Sequence, residues 1–291
     1  MLKIGIIGLD SSHTIEFARR LVAPDCPAEQ KVSGATVTKV MRFETPFQDS
    51  AGLDARQKQL ESWGIPVTTH LEEATSDCDA IILCINDPSL HLEYFRKIAG
   101  LGKPVFVDKP LADTKANAAQ ILEAAAENKT PFFSCSSLRF APALLDACSK
   151  VNQPTRVSVF GPLGQAAAGS SIVWYGVHAV EMMQRALGRG AQSVRTFSDE
   201  TGAVLLVKYN DSRRGVVELC RGAWQYGGSV RGKDGAVFLV DTSLLYTDLL
   251  REIVKFFETK KAPVEPEDAL EVTAILDAAE KSATSGKAEP V

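Results

Sequence analysis

Residues 1–135 alternate short apolar runs with amphipathic stretches, and this alternation restricts the accessible folds more than any other feature of the chain. Apolar runs at 2–8, 37–43, 79–85, 105–107 and 131–135 have the length and composition of buried strands. Helical patterns at 12–22, 54–63, 90–99 and 115–127 separate them, the first with Ser11 or Ser12 able to cap it. A strand followed by a helix, repeated this way, builds a parallel sheet with right-handed crossovers and helices on both faces. The expectation is a doubly wound α/β domain over 1–135.

Beyond residue 135 the pattern changes. After a helix at 143–150, strand signals at 156–160, 203–209, 215–220, 225–230 and 236–240 are joined by turns such as Asn210-Asp211-Ser212 and Gly232-Lys233-Asp234-Gly235, which suit antiparallel hairpins. Helices are expected at 177–187, 243–258 and 268–285. Residues 136–291 therefore read as a second, α+β domain on a mostly antiparallel sheet, and 291 residues are enough for two cores. With 32 basic and 36 acidic residues the formal charge is -4, and there is no basic stripe, which argues against nucleic acid as a partner. The six cysteines form no C-x-x-C pair and the histidines no metal-ligand spacing, so neither a disulfide framework nor a metal site is expected. The start runs from Met1 straight into a strand, with no apolar leader and no long apolar segment later, which suggests a soluble cytoplasmic protein.

Four polar stretches follow apolar strands, where an open α/β sheet gathers its ligand contacts. Gly8-Leu9-Asp10-Ser11-Ser12-His13 fits a phosphate-binding turn whose second and third glycines are Asp10 and His13; it also fits a plain strand-to-helix corner. Arg42 ends the second strand, either meeting a 2′-phosphate or lying in solvent. Asn86, Asp87 and His91 follow the strand at 79–85, His91 being either a crevice residue or a surface one. Asp108-Lys109-Pro110 closes the strand at 105–107 and sets an ammonium at the crevice, where a lysine polarises a carbonyl or shuttles a proton.

In this order the Gly8 turn, Asn86-Asp87-Pro88 with His91, Gly102-Lys103-Pro104-Val105-Phe106-Val107-Asp108-Lys109-Pro110-Leu111 and Leu138-Arg139-Phe140 resemble the glucose-fructose oxidoreductase/inositol dehydrogenase/rhizopine catabolism (Gfo/Idh/MocA) family. Residues 246–258, and Pro266-Glu267-Asp268-Ala269-Leu270 on to Ala283 and Gly286, resemble that family's last two helices. The resemblance implies a two-domain NAD(P)-dependent oxidoreductase acting on sugars, cyclic polyols or related carbonyl compounds. Lys109 then contacts substrate and nicotinamide ribose, after a cis bond to Pro110. Gly8, Asp10, Ser11, Ser12, His13, Arg42, Asn86, Asp87, His91 and Asp108 join it on the cofactor side, Arg42 tilting the choice towards NADP. The family's Asp-x-Gly-x-His segment corresponds to Trp174-Tyr175-Gly176-Val177-His178, so His178 carries over as the second catalytic residue and the aspartate does not. An indole has one donor and no acceptor, which leaves Trp174 and Tyr175 to line the substrate site. His178 is otherwise a packed helix histidine, and Arg139 either binds substrate or forms a salt bridge.

The leading expectation is a dehydrogenase or reductase that works as a homo-oligomer, dimer or tetramer, on a small molecule. Two rivals use the same fold: a non-catalytic binding or regulatory protein, and a lyase or hydrolase that uses nicotinamide transiently.

Overall fold

A computed structural model describes all 291 residues as two compact units: Met1–Ala112 with Ala119–Ser134 and Tyr246–Pro266, and Asp113–Ala118 with Cys135–Leu245 and Glu267–Val291.

The first unit holds strands β1 (Leu2–Ile7), β2 (Ala35–Met41), β3 (Val67–Thr68), β4 (Ala80–Leu83), β5 (Val105–Val107) and β6 (Phe132–Ser134). They form one parallel sheet in the order β3-β2-β1-β4-β5-β6. Ile4, Ile6 and Ile7 of β1 and all of β4 and β5 are buried, the signature of a sheet covered on both faces. The crossovers carry α1 (Ser12–Val22), α2 (Ser50–Ser62), α3 (Leu71–Ser76), α4 (His91–Ala99) and α5 (Lys115–Asn128). β3 and α3 lie outside the sequence expectation, since a two-residue strand and a polar helical turn carry too little periodicity to register.

The boundary expected at residue 135 is corrected on two points, the first being that residues 113–118 count with the second unit. Residues 246–266 belong to the first unit, because the second-last helix lays aromatic side chains on its sheet. Phe256 meets Phe133 edge-on at 5.0 Å, and Tyr246 lies against both His13 and Phe17. Burying a side chain the size of Phe256 contributes about 1.5–3 kcal/mol, and Thr247 Oγ1 also accepts from Arg20 Nε at 3.1 Å.

In the second unit α6 (Pro142–Lys150) and α7 (Ser171–Leu187) accompany a seven-stranded sheet of β7 (Arg156–Pro162), β8 (Ala191–Asp199), β9 (Gly202–Tyr209), β10 (Arg214–Cys220), β11 (Gly227–Arg231), β12 (Gly235–Leu239) and β13 (Glu289–Pro290). Helices α8 (Leu245–Thr259) and α9 (Pro266–Ser285) complete the chain. The hairpins at 210–212 and 232–235 join antiparallel pairs as expected. β7 and β10 run parallel, so the sheet is mixed. Val159, Leu205, Val207, Val217 and Leu219 on its inner face pack with Val177, Val180, Met183, Ile275 and Leu276 of α7 and α9.

Candidate active site

The strand order reverses between β1 and β4, and at such a switch point the following loops diverge and leave a crevice. Gly8 makes the turn after β1 with φ +107°, a conformation that disfavours any other residue, and a Cβ there would run into the Cys84 carbonyl oxygen. Its N–H donates to Met41 O at 3.0 Å and its carbonyl accepts from Thr14 Oγ1 at 2.9 Å, so the turn is tied to β2 and to α1. Ser11 caps α1 by accepting from His13 N–H at 3.1 Å, Ser12 is exposed, and the first turn contains no acid. A helix start of this kind presents unpaired N–H groups to an anion.

Asp10 stands where a diphosphate-binding turn has its second glycine, yet its carboxylate faces inward. It accepts from Thr45 Oγ1 at 2.7 Å and from Asn86 N–H at 3.0 Å, bracketing the loops after β1, β2 and β4. Burial pushes its pKa up, opposed by these hydrogen bonds. Arg56, whose Nη1 donates to Leu9 O at 2.9 Å, adds a nearby positive charge. Asp87 is likewise engaged locally, its Oδ1 accepting from Ser89 N–H at 3.0 Å to cap a 3-10 turn over Pro88–Leu90.

The end of β5 joins two residues 95 positions apart. His13 Nδ1 lies 2.9 Å from Asp108 Oδ2. Asp108 is completely buried, which by itself would raise its pKa; the charges of His13 and Lys109 overcome this and hold the carboxyl well below the usual range. Tyr246 completes the wall, its ring edge-on to His13 at 4.9 Å and its phenol pushed up to about 12, chiefly by burial. Lys109 follows at 5% exposure, and its bond to Pro110 is cis.

Three sequence assignments are corrected. His91 is fully buried, with Nε2 2.8 Å from Ile85 O and Nδ1 3.1 Å from Leu111 O, so it braces two loops and does not face the crevice. Arg42 Nη1 donates to Asp54 Oδ1 at 2.7 Å and to Gln57 Oε1 at 2.6 Å, which matches its charge from within. Arg139 is equally committed: Nη1 donates to Glu181 Oε2 at 2.9 Å and to Gln184 Oε1 at 2.7 Å, and Nη2 to Asp268 Oδ2 at 3.3 Å. It is buried and does not serve as a substrate contact.

In the second unit, α7 starts at Ser171 with Ser170 as its cap, so the Trp174–His178 segment lies inside the helix instead of opening it. Trp174 and His178, four residues apart, share a helix face. The Trp174 and Tyr175 rings meet at 4.5 Å, and His178 is 5.8 Å from the Tyr226 ring. Ser136, which carries no signal in the sequence, places its Oγ 2.7 Å from His178 Nδ1.

Residues 2–135 match the family described as GFO_IDH_MocA, an oxidoreductase family with an NAD-binding Rossmann fold. The match spans a little under half of the chain and is confined to the first parallel-sheet domain. YceM of Salmonella typhimurium, provisionally named an oxidoreductase, is 32% identical over 93 residues, a match covering 32% of this chain and 30% of that protein's length. Scyllo-inositol dehydrogenase from Lactobacillus casei, solved with NAD(H) and scyllo-inositol, superposes with a TM-score of 0.82 over 100% of this chain and 99% of that one at 14% identity. GenD2 from gentamicin A biosynthesis, solved with NAD, gives 0.79 over 100% and 96% at 18% identity. These likenesses establish the fold for the entire chain, including the mixed-sheet unit outside the matched stretch.

Proposed function

We propose that the protein is an NAD(P)-dependent oxidoreductase that converts hydroxyl and carbonyl groups of a sugar, cyclic polyol or related small molecule. The observation that carries this reading is the Asp108-Lys109-Pro110 corner at the tip of β5, inside a domain of an NAD-binding oxidoreductase family. The Gly8 turn and the start of α1 fit a dinucleotide: the glycine is conformationally required, no acid occupies the first helical turn, and Asp10 is directed away. Gly8, Ser11, Ser12 and Asn86 would hold its phosphates and Lys109 its nicotinamide end. Bound nicotinamide supplies the hydride acceptor or donor.

In the first unit Lys109 would stabilise negative charge on the substrate oxygen; in the second, His178 is the candidate for proton exchange. Trp174 and Tyr175 give the substrate site an aromatic wall where the family pattern has a carboxylate. With Arg42 matched by Asp54, NAD becomes the expected cofactor over NADP. The same architecture without turnover is the rival reading, motivated by Trp174. A 340 nm assay with NAD and a panel of cyclic polyols and sugar acids separates the two: net reduction with one of them supports the enzyme, and cofactor binding with no turnover across the panel supports the binding protein. The absence of a disulfide among the six cysteines suits a reducing, cytoplasmic setting, and no helix is long and apolar enough to cross a membrane.

We also read the outer sheet face as a homo-oligomer contact. Strand register aligns Leu239, Gly227, Phe160, Glu218, Val204 and Phe197 in one row, and Val237, Ser229, Ser158, Val216, Leu206 and Arg195 in the next. Val237, Leu239 and Phe197 are exposed at 84%, 66% and 55%, a broad apolar face on one side of the sheet. Light scattering should give a dimer or tetramer that Leu206→Glu with Phe197→Glu converts to monomer; a monomeric wild type would remove this reading.

A further inference from the structure

The outer face of the second unit's sheet ends in a row of four cations drawn from four separate strands. Register sets Arg231 of β11 opposite Arg156 of β7, Arg156 opposite Arg214 of β10, and Arg214 opposite Lys208 of β9. All four are exposed. Like charges directly opposite one another on strands about 4.8 Å apart repel and weaken a sheet. The chain supplies nothing to offset this. Arg156, Lys208 and Arg214 form no ion pair within the chain, and the next row along, which runs from Val237 to Arg195, contains no acid. With 36 acidic residues against 32 basic ones, so local an excess of positive charge does not follow from composition.

Three of these cations also share a cavity. Arg156, Lys208 and Arg214 line a hollow of about 360 Å³ together with Leu206, Ser212 and Arg213. The turn between β9 and β10 fixes one wall: Arg213 Nε donates to Asp211 Oδ1 at 2.8 Å and its Nη2 to Arg189 O at 2.8 Å, while its guanidinium lies 4.7 Å from the centre of the Tyr209 ring. Arg213 thus matches the carboxylate of the turn and leaves the other three cations to a ligand. Leu206, a residue of the contact between copies proposed from the same face, sets the cavity at the border of that contact. We propose that this cavity binds a small molecule carrying two or more phosphate groups. A guanidinium fork takes two phosphate oxygens at once, and the lysine ammonium adds a point charge. Arg156 and Lys208 flank Arg214 from strands roughly 9–10 Å apart, so a ligand charged at two points satisfies all three where a single phosphate satisfies two. Every residue of the site belongs to the second unit, whereas Gly8 and Lys109 belong to the first.

Calorimetric titration of the intact protein with inorganic pyrophosphate tests this, with orthophosphate as the single-group comparison. Pyrophosphate should bind saturably and at least about ten-fold tighter than orthophosphate, and Arg156→Gln with Arg214→Gln should weaken it by about ten-fold or more. Lys255→Gln with Lys260→Gln removes the same charge from the first unit and should leave the affinity within about two-fold, since distant exposed charges are screened. Pyrophosphate should also raise the melting temperature of the wild type and leave that of the arginine double variant unmoved, which separates loss of the site from loss of the fold. Binding that survives the arginine double variant and disappears in Gly8→Val would put the anion at the turn after β1 and overturn the proposal. An equal loss in the lysine double variant would reduce the effect to net charge and overturn it too, as would a wild type that shows no saturation up to about 10 mM pyrophosphate.

Discussion

Lys109→Ala is expected to lower kcat/KM by about 10²–10⁴-fold, with most of the loss in kcat, because in the proposed reaction it removes the cation that acts on the developing oxyanion. The loss should not be recovered by Lys109→Arg. A guanidinium is a planar fork on a longer stem, and a corner where the lysine is 5% exposed, beside the buried Asp108, has no geometry suited to it. The fold should persist, since Asp108 keeps His13 as a partner. Steady-state kinetics with circular dichroism checks both parts; near-wild-type rates in Lys109→Ala would take the lysine out of the mechanism.

The second large effect concerns stability. Arg139→Ala leaves Glu181 buried without its main counter-charge, in a setting that already pushes its pKa up by burial against the pull of Arg139. Breaking a buried pair from one side costs about 3–5 kcal/mol, whereas replacing both partners with apolar residues of similar size is often close to neutral. Arg139→Met with Glu181→Leu should therefore recover much of what Arg139→Ala loses. Trp174 and Trp224 lie in the second unit and Trp63 in the first, so a Trp63→Phe background makes tryptophan fluorescence report on the second unit alone. A loss under about 1 kcal/mol in urea would show that the network is solvated enough to be dispensable.

What could be read from the sequence divides along physical lines. The first-unit strands are buried on both faces and stand out as apolar runs, so β1, β2, β4, β5 and β6 were legible, and the Lys109 corner with them. β8 was not, because Arg195, Ser198 and Asp199 make its alternation read as loop. The parallel pairing of β7 with β10 joins segments more than fifty residues apart, which local pattern does not reveal. In the site the limitation was partnership. A polar residue after a strand reads as ligand-facing until its partners are known, and His91, Arg42 and Arg139 all proved to be committed to other protein groups. The same pairing explains Asp10, whose apparent conflict with a diphosphate disappears once Thr45 and Asn86 take its carboxylate. Ser136 shows the converse, an ordinary serine whose hydroxyl meets a histidine 42 residues away.

The central claim is that the turn at Gly8 and the corner at Lys109 receive a nicotinamide dinucleotide. Titrating the purified protein into NADH and following nicotinamide fluorescence addresses it without knowledge of the substrate. Saturable binding, weakened at least about ten-fold by Gly8→Val through the lost turn, is the predicted result. A wild-type protein that shows no saturation with NADH or NADPH up to millimolar concentrations would contradict the account.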